Sequence, residues 1–150
     1  MQISGKFNVA LNRLDNYAEG ADGMALGRMS IDKEFFGELA AISKGEMLSA
    51  LTPTKGSAGY VAIEQVTGSL CGKSGSFVLQ HFGLMDRGYD QLILEVVPDS
   101  ATGELEGLKG CMKIRIEEAE QHFYDFDFHL PGLTNLSEQD EAEADQEAKA

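Results

Sequence analysis

Apolar and polar residues alternate with period two through almost the whole chain, and glycine interrupts the alternation again and again. No other feature restricts the fold as much. Alternation sends every second side chain to one buried face, as in half-buried strands, and short glycine-containing links between such runs mark hairpins. Eight candidate strands follow in order: Ile3 to Leu11, Ala25 to Phe36, Leu39 to Leu51, Gly59 to Thr67, Ser76 to Met85, Gln91 to Val97, Cys111 to Glu117 and His122 to Leu130. The links Gly37-Glu38, Cys71 to Gly75, Asp86 to Gly88 and Ala119 to Gln121 are short, so sequence neighbours should pair antiparallel. Asn12 to Gly23 and Pro98 to Gly110 are longer and leave room for a helical turn or a rim loop.

Nothing in the body carries a helical stripe at i, i+3, i+4, i+7, so an all-β domain is expected. With 150 residues, 43% of them hydrophobic, the chain can bury one sizeable core. An eight-stranded antiparallel meander removes its exposed edges by closing on itself, which favours an up-and-down or partly Greek-key barrel, with a two-sheet sandwich as the runner-up. One barrel domain over residues 1–133 is expected. The remaining residues, 134–150, include "LSEQDEAEADQEAKA", with six acids and one lysine. That composition suits a disordered tail or a frayed helix, and its alanine and glutamate content would also suit a docked helix.

Net charge is −13, a field that repels phosphate backbones and anionic lipid, so nucleic acid and membrane surfaces are poor partners. The opening "MQISGKFNVALNR" lacks a long apolar stretch after a basic start, and a soluble cytoplasmic protein is expected. Cys71 and Cys111 form no CxxC or Cys/His ligand spacing and are expected to be reduced thiols. His81 and His122 lack recognisable metal-ligand spacing, and neither metal nor cofactor is expected. "SGS" at 74–76 lacks the glycines of a nucleophile elbow, and "GKSGS" leads into a strand where a P-loop needs a helix.

Parity along the strands assigns faces. Met112, Ile114 and Ile116 oppose Lys113, Arg115 and Glu117, and Tyr124, Phe126, Phe128 and Leu130 oppose Asp125 and Asp127. The apolar sets should point inward, and His122 goes with Tyr124. Met29, Ile31, Lys33 and Phe35 share one face, so a lysine sits on an apolar stripe. Glu64 lies between Ala62 and Val66 on one face of a strand that is apolar on both. A hairpin centred on Gly72 sets Glu64 opposite Gln80, and a Gly72-Lys73 loop sets it opposite His81.

Charges inside a barrel must be paired, and Lys33 with Glu64 or Glu46 would meet that demand; a bulge at Gly45 would change the parity of Glu46. Such a set could also orient the polar end of a ligand or move protons. Glu64 and Gln80 are the candidate catalytic pair, and Lys33, Glu46, Tyr60, His81, His122 and Tyr124 are candidate ligand contacts. Each is also open to a structural reading.

"GSAGYVAIEQVTGSLCGKSGSFVLQHFG", followed by "VVPDSATGELEGLKG" and preceded by "KEFFGEL", resembles the bacterial family called domain of unknown function 3224. The likeness runs from about Lys33 to Gly110. It implies an allene-oxide-cyclase-like or dirigent-like, calycin-type barrel of eight antiparallel strands around an elongated cavity. By the same likeness the chain would hold a small, mainly apolar molecule, with cyclase or isomerase chemistry as an extension, and would form a homo-oligomer. Lys33, Tyr60, Glu64, Gln80 and His81 match the family pattern without assigned roles. The competing expectation is a barrel filled by its own side chains that serves as a structural or interaction module.

Overall fold

A computed structural model describes residues 1–133, and the acidic tail lies outside the described residues. Eight strands run β1 Gln2–Arg13, β2 Ala25–Phe35, β3 Leu39–Leu51, β4 Ala58–Leu70, β5 Lys73–Asp86, β6 Tyr89–Val96, β7 Lys109–Glu117 and β8 Gln121–His129. Each pairs antiparallel with its neighbours in sequence, and β1 returns to β8. The sheet is therefore a closed up-and-down barrel, and the sandwich is ruled out.

Strand ends differ from the sequence expectation at glycine and serine. Gly68, Ser69, Ser74 and Gly75 have turn-like composition, yet Gly68 pairs with Gly75 and Ser69 with Ser74 inside the ladder. The turn shrinks to Cys71-Gly72, with φ of 50° and 80°, the two positive values of a type I′ hairpin. Leu70 therefore faces Lys73, and the whole β4–β5 register shifts from both expected alternatives. Glu64 is opposite Leu79, not Gln80 or His81.

One end of the barrel is sealed. The long β6–β7 connection contains a 3₁₀ turn, Gly103–Leu105, and pushes Leu105 and Leu108 into the core beside Leu39, Leu70, Phe128 and Leu130. It is stitched to β5 by Thr102 Oγ1, which accepts from the Ser76 amide at 3.1 Å, and by Ser100 Oγ, which accepts from the Val78 amide at 3.0 Å. These contacts stand where a strand partner would be, since β6 and β7 share only the Glu95–Cys111 position. Further in, Phe7, Phe35, Phe77, Tyr124 and Phe126 fill the lumen with contacting rings.

At the opposite end the inward positions remain open to solvent. Leu11, Leu51, Met85, Leu92 and Ile116 belong by alternation to the inner face but are exposed, Ile116 at 67%. The inward assignment of Met112, Ile114, Tyr124, Phe126, Phe128 and Leu130 holds, with Ile116 at the rim.

Candidate functional site

Below that rim lies a polar cluster in an otherwise apolar lumen. Glu64 has no exposure, and Lys33, Ser43 and His81 have 7%, 2% and 4%. Lys33 reaches from β2 and donates to Glu64 Oε2 at 2.8 Å, while Ser43 on β3 donates to Oε1 at 2.9 Å. His81 Nε2 on β5 is 2.6 Å from Glu64 Oε2. His81 pairs directly with Ala62, so it meets Glu64 on the diagonal of the β4–β5 ladder.

Glycine makes room for this arrangement at two places. Gly45 pairs with Glu64, and a Cβ there would be 2.0 Å from the Ile63 carbonyl oxygen and 2.6 Å from Glu64 Cα. Gly83 pairs with Tyr60, whose ring occupies the place of the missing side chain, 2.2 Å from where a Cβ would be. The Tyr60 and His81 ring centroids are 6.3 Å apart, which puts tyrosine between the rim and the histidine. On the other side, the Lys33 ammonium lies 5.3 Å from the Phe7 ring centroid and 5.8 Å from that of Phe35, so two aromatic faces support the charge that Glu64 neutralises.

The electrostatics follow from these contacts. Burial by itself would raise the Glu64 pKa, but the His81 hydrogen bond and the charge and hydrogen bond of Lys33 outweigh it and hold the carboxyl at about 2. Tyr60 is pushed up, first by burial and then by the negative charge of Glu64. Glu64 is thus a carboxylate at neutral pH and only accepts hydrogen bonds.

The other expected site residues lie elsewhere. Gln80 points to the outer face and is exposed, a direct result of the register shift. Glu46 is also outside: the β2–β3 and β3–β4 registers pass Gly45 without a bulge, and its carboxylate pairs with Arg28 at 2.9 Å. Tyr124 belongs to the sealed part, where its hydroxyl donates to the Phe36 carbonyl at 2.6 Å. His122 is half-buried behind Phe7, with ring centroids 5.3 Å apart, and among the described residues no hydrogen bond joins it to the cluster. Ser43 was not among the expected residues. Its parity with Leu39 and Ala41 on an inward face was the signal that could have found it.

The outer wall has its own apolar feature. Leu48, Val61, Phe82 and Ile93 are directly paired across β3, β4, β5 and β6, and each is 41–54% exposed. A pocket of about 690 Å³ lies over this region, bordered by Tyr17, Leu26, Ile63 and the Arg28–Glu46 pair. Most of its lining belongs to the outer face, and Ala62 and His81 of the wall also border it.

The family model described as protein of unknown function (DUF3224) matches residues 3–128, the whole barrel from β1 nearly to the end of β8. The chain belongs to the DUF3224 family. A crystal structure of a DUF3224 protein of unknown function from Shewanella oneidensis MR-1 is 59% identical to it. The match covers 89% of this chain and 98% of that one, with a TM-score of 0.85. No curated protein matches the chain. Among the described residues of this DUF3224 barrel, no group of three or more His, Cys, Asp and Glu is placed to hold a metal ion.

Proposed function

We propose that the open end of the barrel binds a small, mainly apolar molecule, with the Lys33–Glu64–Ser43–His81 cluster and Tyr60 receiving its polar end. The observation that carries this reading is the juxtaposition of two unusual features in one lumen. Apolar inner-face side chains, Leu51, Met85 and Leu92 among them, remain exposed at the rim, and a charged network lies deeper in the same lumen, with His81 four residues below Met85 on β5 and Ser43 eight below Leu51 on β3. Ligand sites combine these elements, apolar walls for affinity and a few convergent polar groups for orientation. A structural ion pair would need no uncovered apolar funnel above it.

The same groups suit acid/base chemistry of the cyclase or isomerase kind. In such a step His81, not Glu64, is the proton acceptor, because a carboxyl held at about 2 is a weak base at neutral pH. Glu64 then serves as a positioning residue. Native mass spectrometry of freshly purified protein, compared with the denatured sample, tests the binding reading. An extra mass lost on denaturation supports it. A clean apo mass that takes up nothing from a panel of apolar alcohols, phenols and ketones overturns it.

The outer ladder favours a second reading, in which Leu48, Val61, Phe82 and Ile93 meet the same face of a second copy. A contiguous apolar patch over four strands is the kind of surface that monomers rarely leave uncovered. The two readings use opposite faces of the wall and are compatible.

A further inference from the structure

The hydrogen-bond pattern around His81 restricts the polar end of the ligand, an inference that rests on the binding reading above. Glu64 Oε2 already accepts from Lys33, and Ser43 occupies Oε1. Nε2 of His81 is 2.6 Å from that carboxylate, so in the neutral ring Nε2 carries the proton and donates it. Nδ1 is then a bare acceptor. Among the described residues no hydrogen bond to it is present, and His81 as a whole keeps 4% exposure. Tyr60 is the aromatic neighbour of the ring. The titratable groups shown against the ring are Glu64 and Tyr60 from β4, and Glu64 in turn holds Lys33 from β2 and the Ser43 hydroxyl from β3.

Lys33 and Glu64 cancel, which leaves a neutral floor with one unpartnered lone pair. We propose that the site selects a neutral apolar molecule bearing a hydroxyl or N–H donor, which hydrogen-bonds to His81 Nδ1, and rejects the corresponding carboxylate. A carboxylate would bring only lone pairs to Nδ1 and no donor. Protonation of the ring reverses the preference, because Nδ1 then becomes a donor.

The test uses the full chain and three probes of one shape: 4-phenylphenol, biphenyl-4-carboxylate and biphenyl. With only three histidines in the chain, ¹⁵N spectra read each tautomer directly. At about pH 7.5 the inference expects His81 as the Nε2–H tautomer, with the phenol binding about tenfold more tightly than the carboxylate and shifting the Nδ1 resonance. Lowering the pH until the same spectra show the ring protonated should move the preference toward the carboxylate. An Nδ1–H tautomer, or carboxylate binding equal to or tighter than the phenol at the higher pH, overturns the inference and leaves apolar binding standing. Failure of all three probes, biphenyl included, overturns both. Glu64→Gln should erase the phenol-over-carboxylate preference, and if that variant does not fold, the wild-type tautomer and selectivity still decide.

Discussion

Lys33 illustrates how strongly one buried charge depends on its surroundings. Its ammonium has Glu64 as its hydrogen-bonding counter-ion and two phenyl faces beside it, so removing either partner strands a charge in an apolar lumen. Lys33→Met should lower the free energy of unfolding by about 3–5 kcal/mol in urea titrations, as expected when one member of a buried pair is lost. The double variant Lys33→Met/Glu64→Gln should lose less than the sum of the singles, and additivity would show that the pair is not coupled. Acid stability carries the same signature. The Glu64 pKa falls from an ordinary 4.5 unfolded to about 2 folded, so its contribution is fully present above 4.5 and declines as pH falls toward 2. Glu64→Gln should therefore flatten the loss of stability between those values, measured as the urea midpoint at each pH, and an unchanged slope would assign acid unfolding to other carboxylates.

Two glycines in adjacent elements separate conformational cost from steric cost. Gly72 completes the β4–β5 turn with φ of 80°, and a Cβ there would meet nothing within 4 Å, so Gly72→Ala should cost only the left-handed penalty of about 1–2 kcal/mol. Gly45 needs no unusual φ, but an added methyl would collide with the β4 backbone beside Glu64. Gly45→Ala should be the more damaging change and should also move the His81 resonances, while Gly72→Ala leaves them in place. Equal thermal shifts and an undisturbed His81 would refute the distinction. The same pair shows what could be read from sequence. Alternation and short links were enough for eight strands and closure, and parity set Lys33 on an apolar stripe, whereas Glu64 lies on a strand apolar on both faces, where parity does not choose a side. The β4–β5 register was not legible, because the flanking Gly68, Ser69, Ser74 and Gly75 have turn composition and hid a two-residue turn at Cys71-Gly72. That ambiguity changed the expected partner of Glu64 and placed Gln80 at the site instead of outside it. Glu46 was lost in a similar way, to a bulge that the ladder does not contain.

For the molecule as a whole, the outer ladder bears on assembly. If a second copy covers it, Phe82→Glu should convert an oligomer to monomer in light scattering without altering the strand signature in circular dichroism, since Phe82 is 41% exposed and packs on the outside of the wall. A monomeric wild type would exclude the interface. The fold also carries a consequence for biosynthesis. Ile3 pairs with Phe126 and Phe7 with His122, and the amino terminus itself donates to the Phe128 carbonyl at 2.7 Å. All other strand pairings join neighbours in sequence. During translation the hairpins can form as they emerge, but β1 keeps an unpaired edge until nearly the entire barrel sequence has left the ribosome. Strands with unsatisfied edges recruit other strands, so the interval before β8 arrives is when a nascent chain is most open to mispairing with its neighbours on a polysome. Completion of the last strand turns an open, adhesive sheet into an edgeless wall.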